Sequence, residues 1–141
     1  MSRRPVEDDS GTRYLLLKRS GESSLVRNID TGERTHLPND RLHSVGESTV
    51  DTLVSVVPEE IRRLVTAVHD DRSLALLLEL DAEGPMAVRD MLGAYDFCES
   101  DLHGLVGELQ AAGLIVERTV AGERGYDTTE TATTALAQLQ A

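Results

Sequence analysis

The stretch Asp101–Tyr126, DLHGLVGELQAAGLIVERTVAGERGY, carries the side chains whose types and spacing suggest chemistry. Leu102, Leu105, Val106 and Leu109 recur at i, i+3, i+4 and i+7, the pattern of a helix with one buried face. Ser100, read as the N-cap, and His103, Gly104, Gly107 and Gln110 then lie on or beside the opposite face. A hydroxyl, an imidazole and an amide can hydrogen-bond to base edges or phosphates, and glycines let a partner approach the backbone closely. Arg118 falls on a following strand. Glu123 and Arg124 are expected at the tip of a turn, where an arginine enters a minor groove or meets a phosphate. Arg89 falls on the preceding helix. Against these stand Glu99, Asp101 and Glu108 on or beside the same helix. A carboxylate can accept from a cytosine amino group, yet more often it repels phosphate. Asp101 also has a structural role open to it, since an acid in the first turn complements the helix dipole.

Other chemistry finds little support. His36, His43, His69 and His103 are scattered, and a single cysteine, Cys98, excludes an internal disulfide or a cysteine-cluster zinc site. Cys98 reads either as an oxidant-sensitive thiol before a helix or as a small half-buried side chain, and the second reading is preferred. The chain holds no Gly-rich phosphate loop, no Ser/His/Asp order and no zinc-protease helix. No catalytic residue, metal or cofactor is expected, and the protein is not expected to be an enzyme. Tyr95 and Phe97 suit a core.

Composition sets the context in which such a helix must work. Asp and Glu number 25 and Lys and Arg 14, a formal net charge of −11, and Lys18 is the one lysine. Aromatics make up 3%. Many carboxylates, almost no lysine and few large apolar groups suit a cytosol of molar salt, where hydration keeps the protein soluble and screening removes self-repulsion. A halophilic source is expected. Acidity is then a background property that weighs only mildly against a polyanionic partner. The N-terminus MSRRPVEDDSGTR lacks a signal-peptide core and no apolar run is long enough to span a bilayer, so a cytoplasmic protein without membrane contact is expected.

The charge is unevenly divided, −1 over residues 1–57 and −10 over 58–141, and a boundary is expected at Pro58. In the first part, RYLLLKR (Arg13–Arg19), SSLVRNI (Ser23–Ile29) and ERTHL (Glu33–Leu37) are separated by Gly-containing turns and predict a three-stranded antiparallel β-meander. So small a sheet is marginal alone and is expected to pack on the second part or a partner. Alternation places Arg13 with Leu15 and Leu17, and Lys18 with Tyr14 and Leu16. The basic groups Arg13, Lys18, Arg19, Arg27 and Arg34 read as a solvated face or, more sharply, as a further contact surface. Ser44–Val57 is expected to be a connector. In the second part Pro58 starts a helix with the stripe Ile61, Leu64, Val65, Val68. A second, capped by Asp70 or Asp71, carries Leu74, Leu77 and Leu78. A third carries Val88, Met91, Leu92 and Tyr95. After the 102–109 helix, ended by Gly113, come a strand Leu114–Val120, a turn AGERG, a short strand Tyr126–Thr129, and a helix with Ala132, Ala135, Leu136 and Leu139.

From Pro58 to Ala141 this order resembles a winged helix-turn-helix domain. The words LQAAGLIVER and RGYDTTETATTAL carry the resemblance, since many archaeal and bacterial transcription regulators have L-x-x-A-G-L-[IV] and Y-x-[LT]-T-x-x-[GA] at these places. The whole chain, with LVRNIDTGERTHLPNDRL in front, is similar to a small haloarchaeal family of predicted regulators. The resemblance implies an α+β protein, a winged domain at 58–141 preceded by the meander and connector at 1–57. It implies a homodimeric transcription regulator that reads double-stranded DNA with a recognition helix (about 100–112) and a wing (about 114–129). Arg89, Ser100, His103, Gly104, Gly107, Gln110, Arg118 and Arg124 would be the contact residues. The alternative is a winged-helix adaptor that binds a protein partner and no DNA. A small-molecule sensor is a third reading without a recognisable pocket signature.

Overall fold

Five strands, two more than the periodicity predicts, make the sheet at the start of the chain. In the computed structural model, which describes residues 2–141, the chain is α+β and divides into two units, Met1–Val57 and Pro58–Ala141. The first holds β1 (Arg4–Glu7), β2 (Arg13–Arg19), β3 (Ser23–Asn28), β4 (Arg34–Pro38) and β5 (His43–Ser44), antiparallel in the order β4-β3-β2-β1-β5. The expected meander is β2, β3 and β4. β1 and β5 have no apolar alternation to announce them. They exist through pairing with distant residues, Val6 with Ser44 and Glu7 with His43. Pro5 offers no N–H, but its carbonyl accepts from Val45 at 3.3 Å.

The β3–β4 turn is built on Asn28, whose Oδ1 accepts from the backbone N–H groups of Asp30 and Thr31 at 2.8 and 3.1 Å. Gly32 follows at a φ of +76°, which a Cβ would oppose. Val6, Leu16 and Val26 form the unit's own small core, with Tyr14, Leu37 and Leu42 packed against it. The register corrects the simple alternation of β2. Leu16 pairs Val26, but the next pair is Lys18 with Leu25, so a bulge falls at Leu17. Lys18 therefore leaves the face of Leu16, and Arg19, paired with Ser24, joins it.

Ser44–Val57 is more than a connector. It contains α1 (Thr49–Val54), which starts where the Ser48 hydroxyl accepts from the Asp51 N–H at 3.0 Å. The β-branched residues argue against a helix, and the cap outweighs that small penalty.

The second unit holds α2 (Glu59–Ala67), α3 (Asp71–Glu83), β6 (Met86–Ala87), α4 (Val88–Ala94), α5 (Glu99–Ala111), β7 (Ile115–Val120), β8 (Glu123–Thr128) and α6 (Glu130–Gln140). Its sheet runs β6-β8-β7. The core gathers Leu64 and Ala67 of α2, Leu76, Leu77 and Leu80 of α3, Met91 of α4, and Leu102, Val106 and Leu109 of α5. Leu114, Ile115, Tyr126, Ala132, Ala135 and Leu136 complete it, with Tyr95 and Phe97 packed against its margin.

Three apolar residues expected inside face out: Val65 is 68% exposed, Leu139 53% and Leu78 37%. In α3 the run Leu74–Leu80 is apolar nearly all round, so periodicity could not fix which side turns inward. Leu76 and Leu80 do, with Ser73 beside them. In α2 the inward arc is centred on Leu64 and Ala67, which carries Val65 past its edge.

Helix ends are defined by specific groups. Asp70 caps α3 through the Ser73 N–H at 3.0 Å, and this backbone bond, first among several causes, holds its carboxyl below the usual carboxylate range. α5 ends in a Schellman motif. The Leu114 N–H reaches the Leu109 carbonyl and the Gly113 N–H the Gln110 carbonyl, both at 3.0 Å, with Gly113 at a φ of +76°. Thr129 then ties the hairpin's return to this end, donating its hydroxyl to the Gly113 carbonyl at 2.7 Å while capping α6.

Candidate functional site

α5 starts two residues earlier than a cap at Ser100 implies. Cys98, not Ser100, occupies the cap position, its Sγ accepting from the Asp101 N–H at 3.4 Å. Cys98 is exposed rather than half-buried. With Leu102, Leu105, Val106 and Leu109 all turned inward, helical spacing leaves Ser100, His103, Gly104, Gly107 and Gln110 as one exposed stripe along α5. The predicted contact residues of this helix are therefore brought together. Cβ atoms placed on Gly104 or Gly107 would meet nothing within 4 Å.

The stripe is flanked on two sides. On one side a crevice of about 110 Å³ separates α5 from the β7–β8 hairpin, with His103 and Glu99 across from Arg124 and Tyr126. On the other a trough of about 280 Å³ runs between α5 and the start of α3, bordered by Ser100, Gly104 and Glu108 and by His69 and Arg72.

The hairpin turn is tighter than AGERG implies. Ala121 and Gly122, both at positive φ (51° and 80°), make a two-residue turn of the kind whose twist matches paired strands. Glu123 and Arg124 therefore belong to β8, and Arg124 faces Thr119 across the ladder instead of standing at the tip. Pairing also separates the two arginines. Arg124 shares a face with Tyr126 and Glu117, toward α5. Arg118 shares the other face with Asp127. Gly125 is where β6 comes closest: a Cβ there would lie 2.4 Å from the Met86 carbonyl oxygen.

Every predicted arginine already has an acidic neighbour. Arg89 pairs with Glu123 at 2.5 Å, Arg118 with Asp127 at 3.5 Å and Arg124 with Glu117 at 3.0 Å. Arg124 also donates to the Tyr126 hydroxyl at 2.7 Å and lies 5.7 Å from that ring's centre. Arg72, which the sequence did not single out, bridges Asp70 and Asp101 at 3.4 and 3.5 Å, and His69 stands 3.5 Å from Glu108. All these arginines are exposed. Such pairs contribute roughly 0–1 kcal/mol each, so a phosphate can displace the carboxylate at small cost. The displaced carboxylate would still face the phosphate. Knowing the turn position would have exposed the Glu117–Arg124 relation from sequence; the Arg72 bridges depend on packing of α3 on α5 and have no local signal.

Among the described residues no group of three or more His, Cys, Asp or Glu side chains gathers as metal ligands, and no helix is long and apolar enough to cross a membrane.

Comparison with known proteins gives a family and nothing finer. The model of a family of unknown function (DUF7346) matches residues 3–140. No curated protein and no solved structure matches the chain.

Proposed function

The chain belongs to that family of unknown function, and from this premise we propose that it is a DNA-binding transcription regulator whose second unit is a winged helix-turn-helix domain. One observation carries the reading. α5 buries its apolar side completely and leaves the stripe from Ser100 to Gln110 exposed beside a two-stranded hairpin. A helix presented in this way fits the major groove of B-form DNA, about 12 Å wide. In this reading α5 is the recognition helix and β7–β8 the wing. His103 and Gln110 read base edges, and Gly104 and Gly107 allow close approach. Arg118, Arg124 and Arg89 exchange their carboxylates for phosphates. The protein works in a salt-rich cytoplasm, as its carboxylate excess suits, and acts as a homodimer. The exposed Leu139 of α6 supports pairing through that helix, and light scattering would measure it.

A second reading rests on the ion pairs. With each arginine near the site matched to a carboxylate, the surface suits a basic protein partner as well as a phosphate backbone. Crosslinking and precipitation of the tagged chain at native ionic strength decides between them. Recovery of discrete duplex sites supports the regulator. Recovery of one basic protein without DNA selects the adaptor.

A further inference from the structure

The first unit holds a cavity of about 430 Å³ between one face of the five-stranded sheet and the segment from Asn39 to Thr49. This is inside the roughly 300–1,000 Å³ typical of small-molecule sites. Its floor is apolar, from Val6, Leu16 and Leu42. Its charged side chains are Arg4, Arg19 and Glu47. Strand pairing explains why both are there. Arg4 lies opposite Leu16, and the bulge at Leu17 turns Arg19, rather than Lys18, onto the same face beside Ser24.

The polar groups around the cavity differ in what they have left to offer. The Glu47 carboxylate is held by Arg13 and accepts from the Thr52 hydroxyl at 2.9 Å. Ser24 donates to Asn39 Oδ1, and the Asn39 amide is committed to the Ser20 carbonyl at 2.8 Å. Thr49 donates to the Arg3 carbonyl at 2.8 Å. Among the described residues the guanidinium groups of Arg4 and Arg19 have no ion pair or hydrogen bond. The net effect is two unmatched cations over an apolar floor, in a chain where most arginines are paired.

We infer that this cavity binds a small organic anion, with a carboxylate or phosphate head between Arg4 and Arg19 and a short apolar body on Val6, Leu16 and Leu42. Guanidinium forks suit both heads, giving charge-assisted bonds that an ammonium would not match in geometry. The site is independent of the DNA reading, so failure of either leaves the other standing.

Hexanoate and phenyl phosphate serve as probes, with 1-hexanol as the uncharged control, each titrated into the ¹⁵N-labelled full chain in potassium chloride. Saturable amide shifts at Arg4, Leu16, Arg19 and Leu42 with at least one anion, and not with hexanol, are expected. Arg4→Gln and Arg19→Gln should each weaken binding about tenfold, the scale of one charge-assisted bond. Lys18→Gln, on the opposite face, should leave it unchanged. Preference for one anion identifies the head. Absence of saturable shifts with both anions, equal binding of hexanol, or unaltered affinity in both arginine variants would overturn the assignment. Both arginines are exposed; should one variant lose its dispersed spectrum, the other gives the answer.

Discussion

Gly104 and Gly107 stand in the middle of α5, and neither has a structural need to be glycine. Neither lies at positive φ, and a Cβ on either points into open space. Each costs the helix about 0.8–1.0 kcal/mol relative to alanine. Replacing both with alanine should therefore stabilise the second unit by roughly 2 kcal/mol. At roughly 4–8 °C per kcal/mol for a unit of this size, Tm should rise by roughly 8–16 °C. If the glycines serve close approach of a duplex, the same double variant should bind its recovered DNA site at least about tenfold more weakly, because two methyl groups hold the backbone away from the groove. Thermal unfolding by circular dichroism and fluorescence anisotropy with labelled duplex give the two readouts on one sample. A variant no more stable than the parent would refute the helix-propensity reasoning. A stabilised variant with unchanged affinity would remove α5 from the DNA contact and leave the glycines unexplained.

The opposite sign is expected at Gly125→Ala. A methyl 2.4 Å from the Met86 carbonyl oxygen must push β6 off β8, costing about 3 kcal/mol and lowering Tm by well over the width of an ordinary surface mutation. Arg118→Ala and Arg124→Ala should each lower the slope of log affinity against log salt by about one if each meets a phosphate, while Glu117→Gln should strengthen binding by freeing Arg124; equal slopes in duplex titrations would exclude the wing. Asp70→Ala should lower Tm at neutral pH. The Asp70 carboxyl is depressed in the folded chain, chiefly by the Ser73 N–H, so its contribution is present above the unfolded value of about 3.9 and is lost as pH falls through the folded one. The Tm difference should therefore shrink in acid; a gap that widens there would contradict the cap. Tyr95, pushed up to about 12 by burial and then by its bond to Glu79, should stay protonated through pH 10 in an ultraviolet titration, whereas Tyr14 is raised less.

How far the sequence carries can be read from α5 and β2. The repeat of Leu102, Leu105, Val106 and Leu109 named the buried side of α5, because each of those residues is strongly apolar and the intervening ones are not. The same method misplaced Val65, Leu78 and Leu139, where apolar residues exceed what one face can bury and packing selects among them. On β2 strict alternation assigned Lys18 to the Leu16 face, and a single extra residue reversed it. A bulge has no signature within its own strand, since it is a mismatch with the neighbouring one.

Local preference thus determined the α5 face, the Gly113 stop and the meander strands β2, β3 and β4 of the first sheet, because period, capping and positive φ are properties of a few adjacent residues. Tertiary structure alone decided β1, β5 and β6, the placement of Arg118 and Arg124 on opposite faces of the hairpin, the carboxylate beside each arginine, and the cavity over Arg4 and Arg19. Each of these depends on hydrogen bonds or charges between residues far apart in the chain, and those distances are set only when the chain has folded.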